Sequence, residues 1–383
     1  MPRIVHFGKY YFPDAGGIES VTLSLAKGAA KSGYSVTVVC FKKTPAGDAE
    51  VIDDVQVIRA PISQLIASQP LGWKYVQLCL REARGADVIH VHTPNMLTAL
   101  CCLFISKKSK LLVHWHSDVI NKGLLGKLLR PLEGALLHRA NCIVTTSQVY
   151  AEASPTLQPF RDKITVVPIG VPDTKKQDSS VPENAHLPAD LSAKLSGKHL
   201  ILAVGRLVLY KGFEVLIGAA KTLRDDAVVV IVGEGPLQET LKAAVETTGV
   251  ADRVYLAGRL TDEELHALLD WAVMYCLPSV ERSEAFGVVM LEAMAYGLPI
   301  VATNIPGSGV PWVNQHGVTG VNVPVGDPIA LAQACNQILN SEEDRIRFSA
   351  GARRRFETEF TEDVFVKRML ATYDRLLESP RIQ

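Results

Sequence analysis

The sequence predicts an α/β protein of two doubly wound domains, each with a parallel sheet covered by helices on both faces. Three observations support this class. Short apolar runs typical of buried strands alternate with helical stretches along the chain. Residues 169–197, rich in Pro, Ser, Asp and Lys, interrupt the alternation as a linker would. The 383 residues also exceed what a single hydrophobic core usually organises.

The first half of the chain, residues 1–178, is predicted to form an N-terminal Rossmann-like domain. Its helices are expected over residues 18–31 and 72–84. Strand–helix alternation gives right-handed βαβ units and hence a parallel sheet. The predicted strands are residues 3–7, 35–40, 55–59, 87–92, 110–115, 141–145 and 164–167.

The second half, residues 179–360, is predicted to form a second domain of the same kind. The last segment, residues 342–377, reads as helical, and residues 361–383 are expected to return to the first domain. Strands are predicted over residues 199–204, 228–232, 254–256, 273–277, 299–302 and 320–323. Helices are predicted to begin near Gly212, Pro236, Thr261, Phe286 and Asp327.

Composition is ordinary for a soluble α/β protein, with 48% hydrophobic and 21% charged residues. The net charge of zero conceals an asymmetry, because residues 1–178 carry 21 Lys and Arg against 14 Asp and Glu. A basic first half suits an acidic partner such as an anionic membrane surface, and scatter of charge between two domains explains it equally well. The seven cysteines show no C-x-x-C spacing, which favours reduced thiols and a cytoplasmic protein.

The most informative segment is residues 283–303, SEAFGVVMLEAMAYGLPIVAT. A helix is predicted to begin near Phe286 and to end at Gly297, since Pro299 prevents its continuation. This start leaves the amides of residues 287–289 unpaired at a positive helix end, where a phosphate binds well. Glu284 and Glu292 lie about 12 Å apart along such a helix, so they could contact two parts of one elongated ligand.

A second group of candidate residues follows the strand over residues 199–204. Gly205 and Arg206 come first, and Lys211 lies five positions after Arg206 on the same strand-to-helix turn. Arg can bind a diphosphate through two parallel hydrogen bonds, and Lys supplies a point charge. The turn is therefore predicted to bind a diphosphate, with two surface cations as the alternative.

Glycine turns occur after two other strands. Gly233 precedes a helix in a Gly-Glu-Gly-Pro turn, and Gly16 with Gly17 ends the first strand-to-helix loop. Glycines there allow a backbone to approach a ligand closely, although a tight turn alone also requires them. The absence of a G-x-G-x-x-G motif argues against a dinucleotide dehydrogenase.

Histidines end two predicted strands of the first half. Alternation places His114 and His116 on one strand face, so a metal site deserves consideration. No Cys or Glu nearby completes a ligand set, and His116 is predicted to bind substrate through a hydrogen bond. The chain contains no Asp-x-Asp pair of the kind that holds a nucleotide through Mg²⁺, which predicts chemistry without a metal.

The stretch 107–139 interleaves basic and apolar residues in a pattern typical of helices that lie on anionic membranes. A helix packed on its own domain explains the pattern slightly better. Its residues are Lys122, Lys127, Arg130 and Arg139 among Leu124, Leu125, Leu128, Leu129, Leu136 and Leu137. Because no run of 18 apolar residues occurs, the expectation is a cytoplasmic protein with peripheral contact at most.

Taken together, these motifs resemble the large group of retaining glycosyltransferases often called family 4, which have the GT-B fold of two Rossmann-like domains facing across a cleft. The pair Glu284 and Glu292 within its segment is the most specific part of the resemblance. The stretches HFGKYYFPDAGGIE and ATNIPGSGVPWVNQHGVTG are similar to bacterial mannosyl- and rhamnosyltransferases of surface polysaccharide synthesis. One departure is residues 306–311, where many relatives have Gly-Gly-x-x-Glu, and this leaves the contacts of that loop unassigned.

The resemblance implies a role for each candidate residue. Arg206 and Lys211 would bind the donor diphosphate with the amides of Gly287 and Val288, Glu284 would hold the sugar and Glu292 the ribose. From the acceptor-side first domain, His116 would approach the sugar. The implied catalytic side chains are Glu284, Arg206, Lys211 and His116, and the implied donor-binding residues are Gly16, Gly17, Gly205, Gly233, Gly258, Arg259, Phe286, Gly287, Val288 and Glu292.

The sequence thus predicts a metal-independent, retaining transfer of a hexose from a nucleotide sugar to a saccharide or lipid-linked saccharide. GDP-mannose is the expected donor, with GDP-rhamnose or a UDP-hexose next. A nucleotide-sugar epimerase or hydrolase could use a similar cleft, and a non-catalytic sensor of nucleotide sugars is the alternative from another class. A glycosidase would not need to bind a nucleotide.

Overall fold

The computed structural model describes residues 1–14, 16–43, 47–66, 69–118, 123–177, 187 and 189–379, with the side chains of 123–129, 176–177 and 189–190 left out. Its residues form two compact units. The first comprises residues 1–170 and 362–383, and the second comprises residues 171–361. The sequence placed the boundary at residue 178, whereas the first unit ends at residue 170.

The first unit is built on an eight-stranded sheet in the order β10-β9-β8-β7-β1-β2-β4-β3. Neighbouring strands are parallel except β3 and β4, which form an antiparallel hairpin. Strands β5 and β6 form a separate two-stranded antiparallel sheet. The strands are β1 Arg3–Phe7, β2 Ser35–Phe41, β3 Ala49–Ile52, β4 Val55–Ala60, β5 Gln64–Ile66, β6 Gln69–Leu71, β7 Val88–Thr93, β8 Lys110–Trp115, β9 Cys142–Thr145 and β10 Ile164–Val166.

Helices cover both faces of this sheet. They are α1 Gly17–Lys31, α2 Trp73–Glu82, α3 Met96–Leu103, α4 Gly123–Arg139 and α5 Gln148–Ala153. The last helix of the chain also belongs to this unit and packs against α1. The central strands β1, β7 and β8 are almost entirely buried, as a parallel sheet covered on both faces requires.

The second unit has a six-stranded, all-parallel sheet in the order β13-β12-β11-β14-β15-β16. This is the strand order of a dinucleotide-binding fold, with its switch point between β11 and β14. The strands are β11 His199–Val204, β12 Ala227–Val232, β13 Val254–Gly258, β14 Met274–Leu277, β15 Ile300–Thr303 and β16 Gly320–Val323.

The helices of the second unit alternate with these strands, and the segment predicted as a linker contributes the first two, α6 and α7. They are α6 Thr174–Gln177, α7 Ala189–Leu195, α8 Phe213–Ala219, α9 Gln238–Thr248, α10 Asp262–Trp271, α11 Val288–Ala295, α12 Val310–Val313, α13 Pro328–Asn340 and α14 Glu342–Arg355. Residues 178–186 and 188 of the linker lie outside the described residues.

The predicted C-terminal helical segment is divided. After α14, residues Phe356–Phe360 form a π-helical turn, and Thr361 then pairs with Val171 as an isolated bridge. The chain resumes as α15, Glu362–Glu378, which is part of the first unit. The sequence did not reveal the break, because helix-forming residues run through it without Gly or Pro.

Candidate functional site

Glycines stand at the ends of the neighbouring strands β11, β12 and β13. At these positions the carboxyl edge of the second sheet exposes backbone atoms and carries no side chain. Gly205 and Gly233 follow β11 and β12, and Gly258 ends β13. The amide of Gly233 donates to the carbonyl of Gly258 at 2.8 Å. A Cβ atom on Gly233 would lie 2.0 Å from the carbonyl oxygen of Gly205, whereas Gly258 has open space around that position. The turns after β11 and β12 are therefore packed backbone to backbone.

This contrast gives a matched test of the turn. Gly233→Ala is expected to lower the free energy of unfolding by more than about 2 kcal/mol, because it combines a φ of 140° with a backbone clash. Gly258→Ala meets only the cost of its φ of 68°, about 1 kcal/mol. Urea denaturation of both variants measures the difference. Equal losses for the two variants would contradict the close packing of the Gly205 and Gly233 turns.

Lys211 and Glu284 form a buried ion pair near the switch point between β11 and β14. Lys211 Nζ lies 2.6 Å from Glu284 Oε2, and the two side chains are 9% and 10% exposed. The lysine stem lies against Gly205, where a Cβ atom would be 3.1 Å from Lys211 Cε. Burial alone would lower the pKa of Lys211, but the charge and hydrogen bond of Glu284 counteract it, and the pKa is raised. Lys211 is therefore a fixed cation at neutral pH.

Glu284 is held in place from two sides. The hydroxyl of Ser279 donates to Glu284 Oε2 at 3.0 Å, on the oxygen that Lys211 also binds. The hydroxyl of Ser308 donates to the Glu284 carbonyl, and the amide of Gly309 donates to the Ala285 carbonyl at 2.8 Å. The loop 306–311, unassigned by the sequence, thus fixes the backbone of the Glu284 segment. The other carboxylate oxygen, Oε1, has no partner among the described residues and can accept hydrogen bonds from a ligand.

Arg206 belongs to the same electrostatic group. Its side chain is exposed and has no ion pair within the described part of the chain. Burial raises the pKa of Tyr210, while the charges of Lys211 and Arg206 lower it and that of Glu284 raises it. All three charged side chains are therefore within electrostatic reach of the Tyr210 ring.

The helix predicted to begin near Phe286 begins at Val288. Gly287 has a φ of 77°, a left-handed conformation, and acts as its N-cap. The first hydrogen bond of the turn runs from the Met290 amide to the Gly287 carbonyl at 2.8 Å. The amides of Gly287, Val288 and Val289 have no partners among the described residues, so this end of α11 can bind an anion.

Phe286 was predicted to contact the donor, and the structure limits that prediction to its backbone. The ring is 3% exposed and packs with Trp312 and Phe360, whose ring centroids both lie 6.1 Å away. A side chain in this aromatic cluster does not face a ligand. Arg259, in contrast, is exposed directly after β13.

Glu292 lies on α11, eight residues after Glu284, and is partly buried. Burial raises its pKa to about 7, and the nearby carboxylate of Asp262 adds to the rise. The described residues offer its carboxylate no hydrogen-bond or ion-pair partner. Both glutamates influence Tyr275, whose hydroxyl donates to the carbonyl of Val204 at 3.2 Å. Glu292 is therefore uncommitted among the described residues and lies within electrostatic reach of the same tyrosine as Glu284.

The pKa of Glu292 predicts a pH-dependent effect on stability. An unfolded glutamate ionises near pH 4.5 and this one near 7, so the folded state is penalised increasingly as pH rises through that interval. Glu292→Gln is expected to raise the free energy of unfolding at pH 8 by about 2 kcal/mol more than at pH 5.5. Denaturant titrations at both pH values measure this, with the exposed Glu281→Gln as control. A gain that does not depend on pH would contradict the assignment.

Gly16 and Gly17 of the first unit stand at the start of α1, with Gly16 as its N-cap. A Cβ atom on Gly16 would lie 2.2 Å from Glu19 Oε2, while Gly17 has open space around that position. The carboxylate of Glu19 thus folds back over Gly16 at the helix end, and Gly17 remains accessible from outside.

His116 lies directly after β8 and is one of five histidines stacked on one face of the first sheet. His6 Nδ1 lies 3.1 Å from His92 Nε2, and His92 Nδ1 lies 3.2 Å from His116 Nε2. His90 Nδ1 is paired with the hydroxyl of Tyr373 on α15 at 2.6 Å. Burial lowers the pKa of each ring, to about 3 for His6 and His116 and well below the usual value for His90, His92 and His114.

The basic stretch predicted to contact membranes is only partly described. Lys122 and the side chains of residues 123–129, Lys127 among them, lie outside the described residues. Leu136 and Leu137 are buried in the core, and Arg139 donates to the carbonyl of Ser106 at 2.9 Å. The end of α4 therefore packs on its own unit. Within the described residues, no helix combines the length and the apolar character needed to cross a membrane.

Sequence reasoning missed several residues that shape the site in the second unit. Ser279 comes two positions after β14, and its place directly beyond a strand end was a signal that could have identified it. Tyr210, Tyr275 and Asp262 act through electrostatics or backbone contacts, and nothing in their sequence context distinguishes them from ordinary structural residues.

Comparisons with known proteins agree with this geometry. Residues 191–355 match the model of the family described as Glycosyl transferases group 1, and residues 16–170 match the Glycosyl transferase 4-like domain. The chain is 33% identical over 378 residues to the O-antigen chain mannosyltransferase C of Escherichia coli, covering 98% of this chain and 99% of that protein. It is 31% identical to the D-rhamnosyltransferase WbpZ of Pseudomonas aeruginosa, over 94% of this chain and 92% of the relative.

A solved structure shares the fold over nearly the full length. The sucrose-phosphate synthase of Thermosynechococcus elongatus superposes with a TM-score of 0.77 at 22% identity, covering 98% of this chain and 99% of that one. At this identity the likeness concerns the fold alone, the GT-B arrangement of parallel α/β sheets.

Proposed function

Because this chain belongs to the glycosyltransferases of group 1, which carry a family 4-like N-terminal domain and the GT-B fold, we propose that it transfers mannose from GDP-mannose with retention at the anomeric carbon. The acceptor would be a saccharide or lipid-linked saccharide of a bacterial surface polysaccharide. The name of the mannosyltransferase relative supports mannose, and that of the rhamnosyltransferase makes GDP-rhamnose the next candidate, with a UDP-hexose after it.

The observation that carries the proposal is the buried ion pair of Lys211 and Glu284, which joins the turn that carries Arg206 to the segment that leads into α11. Lys211 uses one of its three N–H donors on Glu284 and keeps two for another acceptor. Arg206 and the amides at the start of α11 are likewise uncommitted within the described residues. Cations and helix amides of this kind suit a pyrophosphate.

Charge development explains how such a site would accelerate transfer. As the bond between the sugar and the diphosphate breaks, negative charge grows on the leaving oxygen, and fixed donors stabilise it without reorganising. Lys211 is held by Glu284 and Gly205 before the reaction begins, so little entropy is lost in placing it. Glu284 Oε1 would accept hydrogen bonds from sugar hydroxyls, and Glu292 from the ribose.

Retention follows if departure and attack occur on the same face of the sugar. We propose this route because Glu284 Oε2 is already bound by Lys211 and Ser279, which suits this carboxylate to holding a sugar hydroxyl better than to attacking the anomeric carbon. The positive charges supplied by Arg206 and Lys211 would take the place of a divalent cation at the diphosphate. The proposed transfer therefore proceeds without a metal.

Thermal denaturation with added nucleotides tests the proposal. A ligand that binds only the folded state stabilises it by about 2.7 kcal/mol at 100 times its dissociation constant. GDP is expected to raise the melting temperature in EDTA, increasingly with its concentration and more than UDP does. No rise with GDP, UDP or their sugars would refute a nucleotide-sugar site.

An epimerase or hydrolase would bind the nucleotide sugar at the same site, so its product must distinguish it from a transferase. With GDP-mannose and a mannose-terminated saccharide, the proposed transferase is expected to lengthen the saccharide as GDP is released. Equal conversion of the donor when the saccharide is omitted would instead indicate epimerase or hydrolase activity. A non-catalytic sensor would bind GDP and release none from the donor.

A further inference from the structure

Three of the five stacked histidines form a continuous hydrogen-bonded chain, which we call the histidine chain: His6, His92 and His116. Its two links are N···N contacts of 3.1 and 3.2 Å, both within the range of an N–H···N hydrogen bond. The residues come from β1, from β7 and from the position after β8, so the chain runs across three adjacent strands towards the strand ends.

We infer that the histidine chain fixes His116 in the tautomer that carries its proton on Nδ1, so that His116 faces its ligand as a hydrogen-bond donor and not as a general base. His6 and His92 then act as positioning residues. The inference rests on the proposed function for the identity of the ligand, a saccharide hydroxyl or phosphate oxygen, but not for the tautomer itself.

The direction of hydrogen-bond donation along the histidine chain follows from its buried end at His6. His6 Nε2 is fully buried and has no partner in the described structure. A buried N–H without an acceptor costs more than a buried lone pair without a donor, because backbone and side-chain donors are rarely left orphaned. His6 therefore places its proton on Nδ1 and donates to His92 Nε2.

Each neutral imidazole carries a single N–H proton, so the tautomer of His6 determines the tautomers of His92 and His116. His92 accepts at Nε2 and must donate from Nδ1, and His116 accepts at Nε2 and must carry its own proton on Nδ1. Burial keeps all three rings neutral by lowering their pKa values. His116 Nδ1 has no partner among the described residues and is not one of the fully buried unpaired atoms, which leaves it accessible to a ligand.

A metal site is the competing interpretation of the same residues. Ring nitrogens of His6, His90 and His92, and those of His92, His114 and His116, lie within 4.8 Å of one another. The rings are stacked, however: His90 on His92 at 4.3 Å and 13°, and His114 on His116 at 4.2 Å and 17°. Lone pairs of stacked rings point side by side and do not converge on one ion, so the geometry favours the histidine chain.

Nitrogen NMR of the full chain labelled with ¹⁵N-histidine tests the inference directly, because the protonated and unprotonated nitrogens of a neutral ring have clearly different shifts. The His116 signals are assigned by their loss in His116→Gln. We expect the proton on Nδ1 in the unmodified protein without any ligand. A proton on Nε2, or Zn²⁺ at stoichiometric concentration shifting the nitrogens of His6, His92 and His116 together, would overturn the inference.

Two variants separate the hydrogen bond from packing. His92→Phe removes the donor to His116 Nε2 and is expected to shift His116 towards the Nε2–H tautomer. His114→Phe is the matched control, since His114 stacks on His116 at 4.2 Å but neither of its ring nitrogens has a hydrogen-bond partner among the described residues. It is expected to leave the His116 tautomer unchanged. An equal shift in both variants would contradict the chain and leave packing as the cause.

Activity measurements then distinguish this inference from the proposed function. His92→Phe is expected to lower kcat about tenfold with little change in KM for GDP-mannose, and His114→Phe to lower it far less. An Nδ1–H tautomer in a protein that transfers no sugar would support the histidine chain and refute the proposed function.

Discussion

Lys211→Met is expected to lower kcat for GDP release from GDP-mannose by about 10²–10³, with a smaller loss of donor affinity. Removing one fixed donor from a developing anion typically has this effect. Lys211 is held before any ligand arrives by Glu284 at 2.6 Å and by its contact with Gly205. Its charge therefore contributes most when the leaving group becomes negative. Removing it is expected to lower kcat more than it raises KM.

The same substitution also leaves Glu284 buried without its cation, which is expected to reduce stability by about 3 kcal/mol. The double variant Lys211→Met with Glu284→Gln tests the stability effect, because it removes the unpaired buried charge and should regain the stability that Lys211→Met alone loses. Lys242→Met, at an exposed lysine that pairs with Glu239 on α9, is the matched control and should retain full activity. Near-normal turnover in Lys211→Met would contradict the role of this charge.

Mild acid is expected to unfold the first unit. Burial keeps His6, His90, His92, His114 and His116 neutral in the folded state, whereas in the unfolded chain they take up protons near pH 6.5. Because the unfolded state then binds more protons, stability is retained above pH 6.5 and lost as pH falls below it. Between pH 7 and 5.5 the loss is about 1 kcal/mol for each ring, or about 5 kcal/mol in all.

A loss of that size is comparable with the whole stability of a typical domain. Denaturant titrations followed by the fluorescence of Trp115, buried at the end of β8, measure it. His114→Phe should reduce the pH dependence by about one proton, because it removes one buried ring whose nitrogens have no partner in the part of the chain that the structure describes. His138→Gln, at an exposed histidine, is the control. Stability that is constant from pH 7 to 5.5 would be incompatible with five neutral buried imidazoles.

The fold was readable from the sequence wherever strands were apolar and bounded by turn residues. The six strands of the second sheet were predicted within two residues of their observed bounds, because short runs of β-branched residues such as AVVVIV favour buried parallel strands. The edge strand β3 was missed, since AEVI is short and half exposed. The sequence indicated this hairpin through the Asp53-Asp54 pair, which forms its turn with positive φ at both residues.

The site could be predicted from the sequence where its residues lie just after a strand or just before a helix. Gly205 and Lys211 were identified from their positions after β11 and Glu284 from its place just before a predicted helix, and the structure brings these three together. Positive φ at Gly287 and the buried ring of Phe286 depend on tertiary packing, which no local pattern specifies. The stacking of five histidines likewise required the strand order, because β1, β7 and β8 are distant in sequence.

The central claim is that Arg206, Lys211 and the amides at the start of α11 bind a nucleoside diphosphate without a metal. Calorimetric titration of GDP into the unmodified chain, Arg206→Ala, Lys211→Met and the control Lys242→Met, all in EDTA, tests it most directly. We predict one GDP bound per chain, with affinity lowered about tenfold in Arg206→Ala and Lys211→Met and unchanged in the control. Equal affinity in all four proteins, or binding that appears only when Mg²⁺ is added, would contradict it.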